Sequence, residues 1–144
     1  MSAVKLVAVF VENKPGLLAR LTKALSAESV NIRWVTIANM EKFGVIKFIV
    51  DKPDAACQVL RAQGFTVSQI EIVAVEVRDR PGELHTVADN LAQNGINVEN
   101  ASGFVTSTHR RAVVIIETQE VEKAKQVLKK QGLHLLTQEE LLTV

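Results

Sequence analysis

The chain has 144 residues, 47% of them hydrophobic and 23% charged, with a formal net charge of +1. That is enough apolar material for a core, which excludes charge-driven disorder, and no apolar run approaches the ~18 residues of a membrane-spanning helix. The near balance of 17 basic and 16 acidic residues provides no basic stripe for nucleic-acid binding, and one cysteine permits no internal disulfide.

Residues 1–5 lead straight into an alternating pattern without the regions of a secretory signal, so the expected location is cytoplasmic. Residues 4–11, rich in β-branched side chains, predict a strand. The turn Asn13-Lys14-Pro15-Gly16 follows. Proline at a first helical position sacrifices no hydrogen bond, and Asn13 is placed to cap the first turn. Leu18, Leu21 and Leu25 recur at helical spacing. A second strand opens at Asn31 and a third covers residues 45–50. A second helix carries Ala56, Val59 and Leu60 and ends near Gly64, and residues 66–67 form a short closing strand.

The same order then returns: a strand at residues 70–77, the turn Asp79-Arg80-Pro81-Gly82, and a helix carrying Leu84, Val87, Ala88 and Leu91. A strand from Asn97, a strand at 112–116, a helix carrying Val121, Ala124, Val127 and Leu128, and a strand at 134–136 complete it. Gly16 and Gly82 stand 66 positions apart, as do Asn31 and Asn97; Gly64 and Gly132 stand 68 apart. The chain therefore reads as two copies of one unit, residues 1–69 and 70–144, each βαββαβ. The fold class is α+β: two ferredoxin-like units with antiparallel sheets and helices on one face. With no Gly/Pro/Ser linker between them, the copies are expected to pack closely. Thr137-Gln138-Glu139-Glu140 spells a capping box and predicts a short terminal helix.

Such a sheet normally has one polar face. Here Val7, Val9 and Val11 share one face of the first strand while Leu6, Ala8 and Phe10 share the other, and the third strand alternates in the same way. Helices cover one side only, so the sister copy, a second chain or both are expected to cover part of the other.

The strand leading into Asn-Lys-Pro-Gly or Asp-Arg-Pro-Gly, the leucine-rich helix, and then Val-Asn-Ile or Ile-Asn-Val, all twice at fixed spacing, resembles the ACT domain, a small-molecule-sensing module, as a tandem pair over nearly the whole chain. It is most similar to stand-alone ACT pairs grouped with the regulatory subunit of acetolactate synthase. The resemblance implies a free amino acid bound at an interface between two ACT units, and a homodimer. It places the ligand at Asn13, Gly16, Leu17 and Asn31 in the first copy and at Asp79, Gly82, Glu83 and Asn97 in the second. The chemistry suits those residue types. A carboxylate is favoured at a helix N-terminus, glycine admits it to the backbone, and an asparagine amide both donates and accepts. Asp79 departs from the pattern, because its carboxylate repels a ligand carboxylate and pairs with an ammonium. Val11 stands where serine-sensing members carry a histidine, which argues against serine, and Asp79 argues for two unequal sites.

Structural roles compete at each position: capping for Asn13 and Asp79, turn formation for Asn31 and Asn97, packing for Trp34, a core site for Cys57. His85, His109 and His134 lack metal-ligand spacing, and His109-Arg110-Arg111 reads as a solvated hairpin turn. No nucleophile motif or phosphate-cradling loop is present, so neither an enzyme nor a cofactor is expected. The leading function is an amino-acid-binding regulator of amino-acid metabolism. The alternative is the regulatory subunit of a biosynthetic enzyme such as acetolactate synthase, with that metabolic enzyme as partner. A remote one is an RNA-binding module of the same fold, on a faint echo of its third-strand motif at residues 42–48. No membrane or nucleic-acid partner is expected.

Overall fold

A computed structural model describes residues 3–144. It divides into two compact units, Lys5–Ile70 and, with Val4, Glu71–Val144. The elements in chain order are β1 (Val4–Glu12), α1 (Leu17–Ala27), β2 (Ile32–Met40), β3 (Phe43–Val50), α2 (Pro53–Ala62), β4 (Thr66–Arg78), α3 (Glu83–Gln93), β5 (Asn100–Val105), β6 (Arg111–Glu117), α4 (Val121–Lys130), β7 (His134–Leu135) and α5 (Gln138–Leu141). The architecture is α+β with βαββαβ units and antiparallel sheet. The two strands expected at residues 66–67 and 70–77 are one unbroken element, β4.

In the first unit β3 lies between β1 and β2, antiparallel to both, with Val9 and Ile37 each opposite Ile46. The alternation that puts Val7, Val9 and Val11 on one face also puts Ile46, Phe48 and Val50 there. Leu21 and Leu25 of α1 and Ala56, Cys57 and Leu60 of α2 close over them. Each buried leucine removes enough apolar surface to stabilise the unit by ~1.5–3 kcal/mol. Cys57 is one of these core residues.

The second unit repeats the plan. β6 lies between β4 and β5, and β7 pairs with β4 through Val75↔Leu135. Val73, Val75, Val77, Val114 and Ile116 meet Val87 and Leu91 of α3 and Ala124 and Leu128 of α4. Both α2 and α4 stop where the sequence indicated. The N–H of Phe65 reaches the Leu60 carbonyl at 3.1 Å, and that of Leu133 reaches Leu128 at 3.2 Å, each across a left-handed glycine.

The face away from the helices is also largely closed: Leu6, Ala8 and Ile49, and Ile72, Ala74, Val113 and Ile115, are all buried. Behind the second unit, Leu136 donates its N–H to the Ala74 carbonyl at 2.8 Å, and Leu136 and Leu141 of the tail are themselves buried. The tail ends in α5, where Thr137 Oγ1 accepts from the Glu140 N–H and the Glu140 carboxylate accepts from the Thr137 N–H, the capping box read from the sequence.

The helix starts differ from expectation. Neither Asn13 nor Asp79 caps a helix, and neither Pro15 nor Pro81 is a first helical residue. Gly16 and Gly82 take the N-cap position at φ 89° and 90°, with the prolines just ahead. The left-handed backbone explains the glycine: it sets the chain entering α1 and α3 at an angle that a side chain resists. Proline at the helix start belongs instead to Pro53 of α2.

Candidate functional site

The first Pro-Gly corner is built by backbone. The Asn13 N–H donates to the Lys42 carbonyl at 2.7 Å, and Lys14 closes back on Glu12 at 3.0 Å. The Asn13 side chain, free of any capping role, donates through Nδ2 to the Glu41 carbonyl at 2.8 Å. The corner is thus pinned to the β2–β3 hairpin turn, where Glu41 has φ 55°.

Past the corner, Arg20 N–H takes the Gly16 carbonyl at 2.9 Å, and the amides of Gly16, Leu17 and Leu18 find no acceptor among the described residues. No acidic side chain stands in the first turn of α1. Unpaired N–H groups and an uncompensated helix dipole therefore face solvent together, an arrangement that favours an anionic group such as a carboxylate.

The second corner has a similar backbone, in which the Glu83 N–H reaches the Arg80 carbonyl at 3.4 Å, and different chemistry. Asp79 N–H donates to the Arg110 carbonyl at 3.0 Å, matching Asn13. Its carboxylate has no donor to offer and makes no bond to the chain among the described residues. Glu83, the first residue of α3, holds its carboxylate against Arg80 Nε and is only 17% exposed in its side chain. Two carboxylates of the chain itself thus stand at this helix start, one already ion-paired. A ligand carboxylate meets repulsion here that it does not meet at Gly16.

Asn31 and Asn97 lie elsewhere. The Asn31 N–H donates to the Asp51 carboxylate Oδ1 at 2.9 Å, and its carbonyl accepts from the Asp51 N–H at 3.2 Å. Its side-chain amide has no partner in the chain among the described residues. With Thr22, Ser26 and Ser29 it lines a shallow cleft of about 420 Å³. Asn97 lines a cleft of about 310 Å³ with Glu99, Thr118 and Glu120. These asparagines sit where α1 and α3 end, and the corners where they begin. Eleven helical residues span ~16 Å, and the nine residues of β2 between Asn31 and the hairpin turn span ~30 Å. Asn13, Gly16 and Leu17 are together, and so are Asp79, Gly82 and Glu83; neither group meets its own unit's second asparagine.

Two participants escaped the sequence reading. The hairpin carbonyl of Glu41 carries no side-chain signal. Arg80, by contrast, stands three residues ahead of Glu83, a spacing at which an ion pair across a helix start is legible. Among the described residues no group of His, Cys, Asp and Glu is arranged to hold a metal ion, and no helix is long and apolar enough to cross a membrane.

The family model of the ACT domain pair matches residues 1–144. The crystal structure of protein BT0572 from Bacteroides thetaiotaomicron is similar at a TM-score of 0.91 and 30% identity, over 99% of this chain and 97% of that one. The regulatory subunits of aspartate kinase from Thermus thermophilus, in its ligand-free form, and Thermus flavus give a TM-score of 0.64 at 18% and 17% identity. Each alignment covers 90% of this chain and 93% of the other, a likeness of fold. No curated protein matches.

Proposed function

We propose, from the premise that this chain belongs to the ACT domain pair family, that it is a non-catalytic regulator of amino-acid metabolism that binds a free amino acid. The observation that carries the reading is the first corner: three amides without acceptors, no acid in the first turn of α1, and a glycine backbone open to close approach. The ligand carboxylate takes Gly16 and Leu17, and an asparagine amide takes its remaining polar atoms.

The placement of Asn13 and Asn31 at opposite ends of β2, a strand of ~30 Å, supports a homodimer. β2 is a sheet edge. Pairing it antiparallel with its own copy about Thr36 brings the Asn31 end of one chain beside the other's hairpin turn at Glu41, the residue whose carbonyl holds Asn13. The same register sets Val35 against Ile37, which are 46% and 45% exposed in the single chain. One ligand then touches the corner of one copy and the Asn31 amide of its partner.

Isothermal titration with the twenty amino acids tests this. A dissociation constant between micromolar and millimolar, roughly −8 to −4 kcal/mol, is the expected range for metabolite sensing. Asn31→Ala and Leu17→Pro should each weaken the same ligand, since Leu17→Pro removes one of the amides. No heat from any amino acid at millimolar concentration sinks the reading.

A second reading, a regulatory subunit acting in trans on a biosynthetic enzyme, draws on the fold shared with the two Thermus subunits. It requires a stable enzyme partner. Co-purification of such an enzyme with the tagged chain separates it from a free-standing sensor.

A further inference from the structure

Between α3 and α4 of the second unit lies a cleft of about 630 Å³. Asn90, Gln93, Lys123 and Lys130 line it, and the repeat sets each of them where the first unit has an alanine: Ala24, Ala27, Ala55 and Ala62. Alanine is the strongest helix former, and long polar side chains lose rotamer freedom when they are ordered. The exchange does not strengthen the helices. It furnishes the groove between them.

The groove holds an ordered network of amides. Asn90 Nδ2 donates to Gln131 Oε1 at 2.7 Å and to the Val127 carbonyl at 3.4 Å, while Asn94 Nδ2 reaches Asn90 Oδ1 at 3.3 Å. Gln93 Nε2 donates to Asp89 Oδ2 at 2.9 Å. These bonds use both N–H groups of Asn90. They leave the Gln131 N–H groups and the Asn94 and Gln93 oxygens without partners among the described residues. Side chains that fix one another present such donors and acceptors at set positions. Two ammonium groups stand on the α4 wall. Lys123 and Lys130 are two turns apart on one side of the helix, ~10 Å along its axis. Lys130 has no carboxylate partner among the described residues, and Lys123 has the exposed Glu120 at 3.9 Å.

We propose that this cleft binds a phosphorylated polyol of the sugar-phosphate class, with phosphate at the lysines and hydroxyl groups on the amides and Asp89. Three features select that class. Amide groups both donate and accept, as hydroxyl groups do. Val127 is the only aliphatic residue in the lining and no phenyl or indole ring joins it among the described residues, so nothing there encloses an apolar group. Asp89 repels a bare anion but accepts from a hydroxyl, whereas the ammonium of a free amino acid meets two lysines. The volume lies within the ~300–1,000 Å³ of small-molecule sites, and cations two turns apart suit a ligand phosphorylated at both ends. The cleft shares no residue with the Gly16 corner, so the site stands whether or not an amino acid binds there.

Isothermal titration of the full chain with fructose 1,6-bisphosphate, inorganic phosphate and fructose tests the assignment. The bisphosphate should bind, and phosphate and fructose should each bind at least ~10-fold more weakly. The side-chain amide NMR signals of Asn90, Asn94 and Gln131 should shift with the bisphosphate. Lys123→Ala with Lys130→Ala, which copies the first unit at two exposed positions, should weaken it at least ~10-fold while circular dichroism stays native. If that double variant loses its fold, Gln93→Ala, also at an exposed position, replaces it and must weaken the bisphosphate measurably. Amino-acid binding at the Gly16 corner should be the same in all these chains. No binding of the bisphosphate, inorganic phosphate bound as tightly, or an affinity indifferent to the folded variant each overturns the proposal.

Discussion

Asn13 Nδ2 donates to the Glu41 carbonyl at 2.8 Å, joining two turns that are 28 residues apart in sequence. The second unit pins its corner to a longer hairpin turn, with His109 at φ 58° where Glu41 has 55°, but Asp79 stands in place of Asn13 and its side chain has no N–H to give. Asn13→Asp should therefore lose the bond and set a carboxylate beside a carbonyl oxygen, costing about 1 kcal/mol. Asp79→Asn should gain the matching bond to the His109 carbonyl and stabilise by a similar amount. Urea-unfolding midpoints of the two variants check this; an Asn13→Asp chain as stable as the parent removes the pin from the account.

Glu83 and Arg80 occupy at the second helix start the place left open beside Leu17 at the first. The amino-acid sensor proposed above should then bind one ligand per chain, at the Gly16 corner. Glu83→Leu, which copies Leu17, should bring a second and weaker binding event, while Arg80→Ala alone, leaving the carboxylate in place, should not. Calorimetric stoichiometry decides. Two equal sites in the unaltered chain contradict the distinction drawn between the corners.

Arg20 lies with its guanidinium 4.7 Å from the centroid of Phe65 and donates through Nη2 to the Gln63 carbonyl at 3.2 Å, spanning α1 and α2. Where the second unit has Thr86 and Leu133 instead, a cleft of about 630 Å³ opens between α3 and α4, spanned by the Asn90–Gln131 bond at 2.7 Å. Arg20→Ala should cost about 1 kcal/mol through lost stacking and hydrogen bonding. In a domain this small that shifts the melting temperature by roughly 4–8 °C. Thr86→Arg with Leu133→Phe should recover a similar increment in the second unit. A melting temperature indifferent to Arg20→Ala contradicts the bridge.

The repeat made the order of elements legible, because apolar spacing at Leu21 and Leu25, and again at Val87 and Leu91, is imposed by the core those residues enter. The capping box at Thr137 was legible for a similar reason: both partners lie within one turn. Local spacing favours a capping role for Asn13, which Gly16 takes instead. The bond that Asn13 makes goes to a backbone carbonyl brought close only when β3 folds back on β1. Sequence places Asn13 and Asn31 eighteen positions apart, while a helix and its turn carry them to opposite ends of the unit. The unequal second corner is half visible in the sequence: Asp79 breaks the match with Asn13, while the Arg80–Glu83 ion pair depends on where α3 starts.

Glu140 gives the tail a pH dependence with a definite sign. His134 Nε2 stands 2.6 Å from its carboxylate, and the Thr137 N–H donates to it at 3.2 Å. The imidazole contact first, and the backbone N–H second, hold the Glu140 carboxyl below the usual carboxylate range. The folded state thus favours the ionised form. Its contribution is fully present above the unfolded carboxyl value of about 4.3 and is lost as pH falls through the lower folded value. On acidification the α5 amides should lose hydrogen-exchange protection before the strands β4 and β6 do, since protonated Glu140 no longer accepts from both partners. His134→Ala should raise the Glu140 midpoint without bringing it wholly to the ordinary value, because the Thr137 contact remains. Side-chain carboxyl NMR through an acid titration reads both midpoints; a Glu140 midpoint at the ordinary value, unmoved by His134→Ala, contradicts the assignment.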